Sequence, residues 1–293
     1  MILVYGRPQD PCIARLVGAL QTAGGHYRLL DIAALASTTL HLQVGPQGMA
    51  GELVVAGVRT ALADMRAVFA RPSQPTLEPI SGSIPEPTRA LQRQLEVWLD
   101  VAPALVVNRP AAMQAQASRL LQTQRIGEAG FLVPPTLVTS DVDEVRAFWR
   151  THGRVVSRPI SGSPAVATEL DNAWLSHMHR LAELPAQFQA YVTGVDVRVY
   201  VVGQQALAAA ITLAATGAAP DWVATTLPPA VTAHCVAMSQ AMGLPLSGID
   251  LRLQPDGRYV CLKINPMPAF SDFEAKSGLP IAAALAALLM DAA

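Results

Sequence analysis

Two alternating runs constrain the fold of this chain more than any other feature. In Ser247–Pro266, Ile249, Leu251 and Leu253 alternate with Asp250 and Arg252, and Val260, Leu262 and Ile264 alternate with Cys261, Lys263 and Asn265. A period of two marks strands with one buried and one polar face. Between the runs stand Pro255, Asp256, Gly257 and Arg258, a loop with turn chemistry. A hairpin follows, and pairing Gln254 with Tyr259 sets its register. Leu253 then opposes Val260, Leu251 opposes Leu262, and Asp250 opposes Lys263. A slip by one residue would set Asp250 against apolar Leu262. The polar face is Asp250, Arg252, Lys263 and Asn265.

Val195–Gly203 repeats the pattern, with Val195, Val197, Val199 and Val201 on one face and Asp196, Arg198 and Tyr200 on the other. Arg158 ends a further strand, Val155–Arg158, just before Ser161, Gly162 and Ser163, whose backbone amides can cradle an anion. Arginines, a small-residue loop and a carboxylate on strand faces point to a site for phosphate or carboxylate.

The remaining elements follow an α/β (α+β) rhythm. Strand Ile2–Tyr5, helix Pro11–Ala23 and strand Tyr27–Leu30 open the chain, with further strands expected at Leu40–Val44, Glu52–Ala56 and Ala67–Ala70. Five prolines between Pro72 and Pro87 make that stretch an exposed loop. Helices are expected over Thr88–Val101, Met113–Ala129, from a Ser140 cap to Thr151, and over Pro280–Met290. Leu105–Asn108 and Thr136–Thr139 read as strands. At 293 residues the chain has room for two domains, and the boundary is placed after Asn108.

Composition removes whole classes of function. The 21 Lys+Arg nearly cancel the 22 Asp+Glu, and charged residues are 15% of the chain against about 25% on average, which excludes a basic nucleic-acid binder and an acidic disordered chain. Val199–Pro220 is uncharged over 22 residues, but Gln204, Gln205, two glycines and a terminal proline make it buried sheet, so no membrane partner is expected. Cys12, Cys235 and Cys261 have no metal-ligand spacing and fit a reducing, cytoplasmic compartment. His177 and His179 stand two apart, the wrong spacing for a metal pair on one helix face. No G-x-S-x-G, G-x-x-x-x-G-K or G-x-G-x-x-G occurs, which disfavours hydrolase, P-loop and Rossmann readings.

An ordered set of motifs carries a family resemblance. It comprises Asn108-Arg109-Pro110, Ser118–Gln122, Glu128–Asp141, Arg158–Ser163, Gln189–Val192, Asp196–Arg198, Gly248–Arg252, Leu262–Pro266 and Glu274–Ile281. Across about Asn108–Leu289 the chain resembles the ATP-grasp ligases, nearest the RimK-like glutamate ligases and the microviridin-type enzymes that cross-link ribosomal peptides. The resemblance implies an N-terminal α/β pre-ATP-grasp domain over 1–108 and an ATP-grasp domain over 109–293. The latter divides into a nucleotide-binding part (about 109–190) and a C-terminal part with a metal-site hairpin (about 191–293).

It also implies ATP-dependent activation of a carboxylate as an acyl phosphate, which an amine or hydroxyl then attacks. By position, Arg119 and Arg158 match two nucleotide-contacting lysines, and Ser161, Gly162 and Ser163 the small loop beside them. Gln189, Tyr191 and Val192 match the adenine linker, with Asp196 close by. Arg198 matches a phosphate- or acyl-phosphate-binding arginine, and Asp250 and Asn265 match two of three magnesium ligands. The implied cofactors are ATP and at most one Mg²⁺. The implied partner is a peptide or amino-acid substrate, such as a precursor peptide; the oligomeric state is left open.

The departures lie in the same places. Both lysines are arginines, and the acidic residue of the adenine linker is Ala190. The magnesium-bridging glutamate is Lys263, placed with Arg198 among the catalytic candidates. Two opposed carboxylates need a cation between them, whereas Asp250 here faces an ammonium. An ammonium about 4 Å from Mg²⁺ would cost about 8 kcal/mol at an effective dielectric of 20. Two readings follow: an active ligase, or a catalytically impaired homologue that binds nucleotide or peptide, with an active paralogue as its partner.

Overall fold

The structure is a computed structural model that describes residues 1–46, 48–72, 86–159, 168–171, 186–212 and 221–293. The proline-rich loop (apart from its ends), Ser161, Gly162, Ser163, His177 and His179 lie outside the described residues.

The chain opens as the sequence predicts, with β1 (Ile2–Gly6), α1 (Pro11–Thr22) and β2 (Tyr27–Asp31). Asp10 sets the start of α1, its carboxylate accepting from the Cys12 amide at 2.8 Å, while Pro11 occupies the first turn, where no donor is needed. Next come β3 (Thr38–Gly45), β4 (Gly48–Val55) and β5 (Val58–Ala61), an antiparallel sheet of three strands where two were expected. The extra strand follows a two-residue turn in which Ala56 and Gly57 both have positive φ, 49° and 79°. Alanine is unusual there, so the turn is hard to read from sequence.

β6 (Ala67–Arg71), α2 (Glu86–Val101) and β7 (Leu105–Val107) complete the first half. The order β2-β1-β6-β7 is all parallel. Its central strands are apolar on both faces because helices cover both. Ile2, Val4, Ala67 and Phe69 pack towards α1, and Leu3, Tyr5, Val68 and Ala70 pack towards Trp98 and Leu99 of α2.

The helix expected over Met113–Ala129 is two helices, α3 (Pro110–Gln114) and α4 (Arg119–Glu128). Ser118 causes the break, its hydroxyl accepting from the Leu121 amide at 3.4 Å as the cap of α4. After β8 (Thr136–Thr139), α5 (Val142–His152) is capped by Asp141 rather than by Ser140, with the Asp143 and Glu144 amides donating to one carboxylate oxygen. β9 (Val155–Pro159), β10 (Thr168–Glu169) and β11 (Ala186–Ala190) join β8 in an antiparallel sheet of order β10-β9-β11-β8.

β12 (Val195–Val202), β13 (Gln205–Thr212), β14 (Asp221–Thr225), α6 (Pro229–Ala241), β15 (Leu246–Leu253) and β16 (Tyr259–Asn265) follow. The sheet order is β14-β13-β12-β15-β16, antiparallel throughout. The described part of the uncharged stretch, 199–212, lies in β12, β13 and their turn, and no described helix is long and apolar enough to cross a membrane. The chain ends with α7 (Ser271–Ser277) and α8 (Ile281–Asp291). Ile281, Leu285 and Leu289 of α8 share one core with α1, with the parallel sheet and with Tyr200 and Val202 of β12. That shared core joins the first and last sheets.

Candidate functional site

Three adjacent strands bring three charges into one row. Arg198 on β12 lies opposite Asp250 on β15, which lies opposite Lys263 on β16. Opposed residues share a face of the sheet, so the row is built by register alone. Arg198 Nε donates to Asp250 Oδ1 at 2.7 Å, and Lys263 Nζ approaches Oδ2 at 3.1 Å. Burial works against the Asp250 charge, yet Lys263 and Arg198 together hold its carboxyl below the ordinary value of 3.8. Burial likewise opposes the Arg198 charge, and Asp250 more than offsets it.

The expected register holds as far as Asp250–Lys263 and then shifts. A bulge between Asp250 and Leu251 sets Leu251 against Cys261, Arg252 against Val260 and Leu253 against Tyr259. Cys261 thereby joins Ile249, Leu251 and Ile264 in the core, and Leu262, expected there, lines a cleft instead. One extra residue flips the parity of everything beyond it.

A second row, Tyr200–Gly248–Asn265, runs beside the first. A Cβ on Gly248 would meet the Pro268 Cβ at 2.9 Å, so glycine lets the segment after β16 fold back over the sheet. That segment is held from several sides. Asn108 donates to the carbonyls of Leu246 and Pro266, Arg71 to Pro268 and Tyr200 to Ala269, and the Phe270 amide donates to Cys12 Sγ. Arg71 is buried and also pairs with Asp10 at 2.7 Å. Under the segment lies a cleft of about 160 Å³, walled by Arg198, Tyr200, Asp250, Lys263, Asn265 and Pro268 among others. The Arg198 guanidinium also lies 5.2 Å from the Trp222 ring.

A larger cleft of about 290 Å³ opens on the other side of Lys263 and Asn265, with Arg119, Thr123, Gln187, Gln189 and Leu262 in its lining. Gln122 holds α4, and with it Arg119, against β16. Its amide donates to the Ile264 carbonyl at 2.8 Å and accepts from the Ile264 amide at 3.2 Å, occupying the edge that a further strand would take. Lys263 and Asn265 line both clefts.

Of the residues singled out in the sequence, Arg119, Gln189, Lys263 and Asn265 share the larger cleft, and Arg198, Asp250, Lys263 and Asn265 the smaller. Arg158 lies on β9 opposite Gln187. Tyr191, Val192 and Asp196 line neither cleft. They belong to a cluster in which Arg252 donates to Asp196 at 2.7 Å and to the Val192 carbonyl at 2.6 Å, while Arg154 stacks 3.8 Å from the Tyr191 ring. Gln122, Asn108 and Trp222 carry positioning roles that sequence reasoning did not assign. Only the place of the first two within the family motifs hinted at them.

Cations and amides around the larger cleft suit a polyphosphate. Magnesium does not fit the side chains present. Both Asp250 oxygens carry a cationic donor, Asn265 Oδ1 accepts from the Met267 amide at 3.0 Å, and an ammonium stands beside the carboxylate. Among the described residues no group of three His, Cys, Asp or Glu could hold a metal.

No family model matches the chain. Over 63 residues it is 38% identical to the glutathione synthetases of Rhodopseudomonas palustris and Bradyrhizobium diazoefficiens, 22% of this chain and 19% of each relative. The chain thus matches about a fifth of the length of those curated relatives. Likeness over the whole chain is structural. The ATP-grasp ligase PsnB, complexed with a minimal precursor, superposes with TM-score 0.84 at 26% identity, covering 99% of this chain and 98% of that one. The macrocyclase MdnC from Microcystis aeruginosa, bound with precursor peptide MdnA, gives 0.82 at 21% identity and 99% of each chain. A RiPP-associated ATP-grasp ligase from Chryseobacterium gregarium, in complex with ADP and a leader and core peptide, gives 0.83 at 19%, covering 100% and 97%. The last two speak for the fold alone; with PsnB at 26% identity beside them, the chain has the ATP-grasp fold and is similar to RiPP-associated ATP-grasp ligases.

Proposed function

We propose that this chain is an ATP-dependent ligase that joins a carboxylate to an amine or hydroxyl on a peptide, through an acyl phosphate. The observation that carries the reading is the meeting of two clefts at Lys263, one lined with Arg119 and amides and the other with Arg198. The PsnB structures with minimal precursor, Mg and ADP, or with precursor peptide and AMPPNP, support the same pairing of nucleotide and peptide. On this reading the larger cleft takes the nucleotide, and Arg158, Ser161, Gly162, Ser163, Tyr191 and Val192 keep the nucleotide-contacting roles that the family resemblance implies for them. Residues 1–108 form the preceding domain, and 109–293 the ATP-grasp domain.

In the reaction the γ-phosphoryl group passes to a carboxylate oxygen as its bond to the bridging oxygen breaks, releasing ADP. The amine nitrogen or hydroxyl oxygen then attacks the acyl carbon, the carbon–oxygen bond to phosphate breaks, and the attacking atom gives up its proton. Charge on the moving phosphoryl is the main obstacle, and fixed cations lower it without reorganising. Arg198 and Lys263 stand at the junction for that task, held there by Asp250. Arg119 binds the nucleotide from α4.

A second reading is favoured by the commitment of both Asp250 oxygens: a homologue that binds nucleotide and peptide without turnover. The test is to incubate the chain with ATP and a peptide library pairing acidic residues with lysine, serine or threonine. ADP release and loss of one water from a peptide, seen by mass spectrometry, are expected. ADP binding with no release across the library would overturn the ligase reading in favour of the second.

A further inference from the structure

We infer that Lys263 is a tethered cation standing in place of a divalent ion, so that the larger cleft takes nucleotide polyphosphate free of metal. The inference rests on the reading of that cleft as a nucleotide site and deepens it.

The charge balance points this way. Among the described residues lining the two clefts, Arg119, Arg198 and Lys263 are cationic and Asp250 alone is acidic. A hard divalent cation is held by carboxylates together with phosphate oxygens, and here the single carboxylate is spent on two side-chain cations. Asp250 acts as a brace: one oxygen takes Arg198 Nε at 2.7 Å and the other takes Lys263 Nζ at 3.1 Å.

The geometry of Lys263 completes the case. Its ammonium has three donors, of which Asp250 takes one, leaving two for phosphate oxygens. Its side chain is 44% exposed, and the residue lines both clefts, where a charge shared between nucleotide and acceptor has to be met. Lysine serves phosphate as a point charge, so it needs no bidentate alignment to do this. A second cation in the same place would be repelled by it.

Calorimetric titration of ADP into the full chain, in excess EDTA and in millimolar Mg²⁺, tests this. The wild type should bind in EDTA at least as tightly as in Mg²⁺, within about threefold. Lys263→Glu restores a pair of opposed carboxylates and should bind about tenfold more tightly with Mg²⁺ than with EDTA. Lys263→Met keeps the stem without the charge and should bind about tenfold more weakly than wild type in EDTA. Should Lys263→Glu fail to fold in a thermal melt, Lys263→Met decides alone. Wild-type binding seen only with Mg²⁺, or unchanged EDTA affinity in Lys263→Met, would overturn the inference and leave the nucleotide site standing. No ADP binding under either condition would overturn the nucleotide reading, and the inference with it.

Discussion

Lys263 Nζ lies 3.1 Å from Asp250 Oδ2, directly across an antiparallel strand pair, while the other carboxylate oxygen is held by Arg198. The pairing lowers the Asp250 pKa below 3.8 against the opposing effect of burial. A carboxyl depressed in the folded state contributes stability that is complete above its unfolded value and drains as pH falls through the folded one. Asp250→Asn leaves two neighbouring cations unshielded. It should lose about 1–3 kcal/mol at neutral pH, solvent exposure of Lys263 keeping the figure below that of a dry pair. Urea titrations at pH 7 and pH 3 check this: the gap between wild type and variant should shrink at the lower pH.

Gln122 carries a different kind of load. Its side chain satisfies both the amide and the carbonyl of Ile264 on the free edge of β16, and its amide also reaches the Gln116 carbonyl at 3.3 Å. Gln122→Ala strands buried backbone groups, each worth about 1–3 kcal/mol when left unsatisfied. Because α4 also bears Arg119, the variant should lose ADP affinity together with stability. Gln122→Glu, which keeps the acceptor and loses the donor, should fall between the two, as read by urea midpoints and ADP titration.

The row of charges was legible from alternation, which sets Asp250 against Lys263; the count from the turn misses by one, because Tyr259 pairs with Leu253 rather than with Gln254 and a bulge makes up the difference. Beyond Asp250 the same count fails, since a bulge adds a residue on β16 without any glycine or proline to announce it, and Leu262 and Cys261 exchange their expected environments. The break between α3 and α4 was visible in principle, as Ser118 is a good cap, but the surrounding residues are strong helix formers and hide it. Asn108 joins the end of β7 to β15 at Leu246 and to Pro266, just after β16, across 138 and 158 positions of sequence, a separation at which no local pattern operates. Tyr191 and Asp196 meet Arg154 and Arg252 because those arginines arrive from elsewhere in the chain, Arg154 from the residue before β9 and Arg252 from β15.

The three cysteines are all buried and unpaired by disulfide. Burial pushes the Cys235 thiol up to about 12 and the Cys261 thiol well above its ordinary value. A thiolate is the reactive form, so a neutral-pH disulfide reagent should label these two only after unfolding. Labelling followed by peptide mapping, in buffer and in denaturing urea, should show a slow native reaction at Cys235 and Cys261 and a fast denatured one.

Arg119 and Arg198 divide the site between them, since Arg119 lines only the larger cleft and Arg198 only the smaller. Arg119→Ala should therefore weaken ADP binding about tenfold, a lost charged hydrogen bond, while leaving peptide affinity unchanged. Arg198→Ala should do the reverse, keeping the ADP dissociation constant within about threefold and lowering single-turnover ligation about 10²–10³-fold, the usual loss for one preorganised donor at a developing charge. Arg198→Lys separates charge from shape: it restores a cation beside Asp250 but not the planar group near Trp222, so it should regain stability more than rate. Equal losses of ADP affinity in Arg119→Ala and Arg198→Ala would mean that the two clefts form a single undivided pocket.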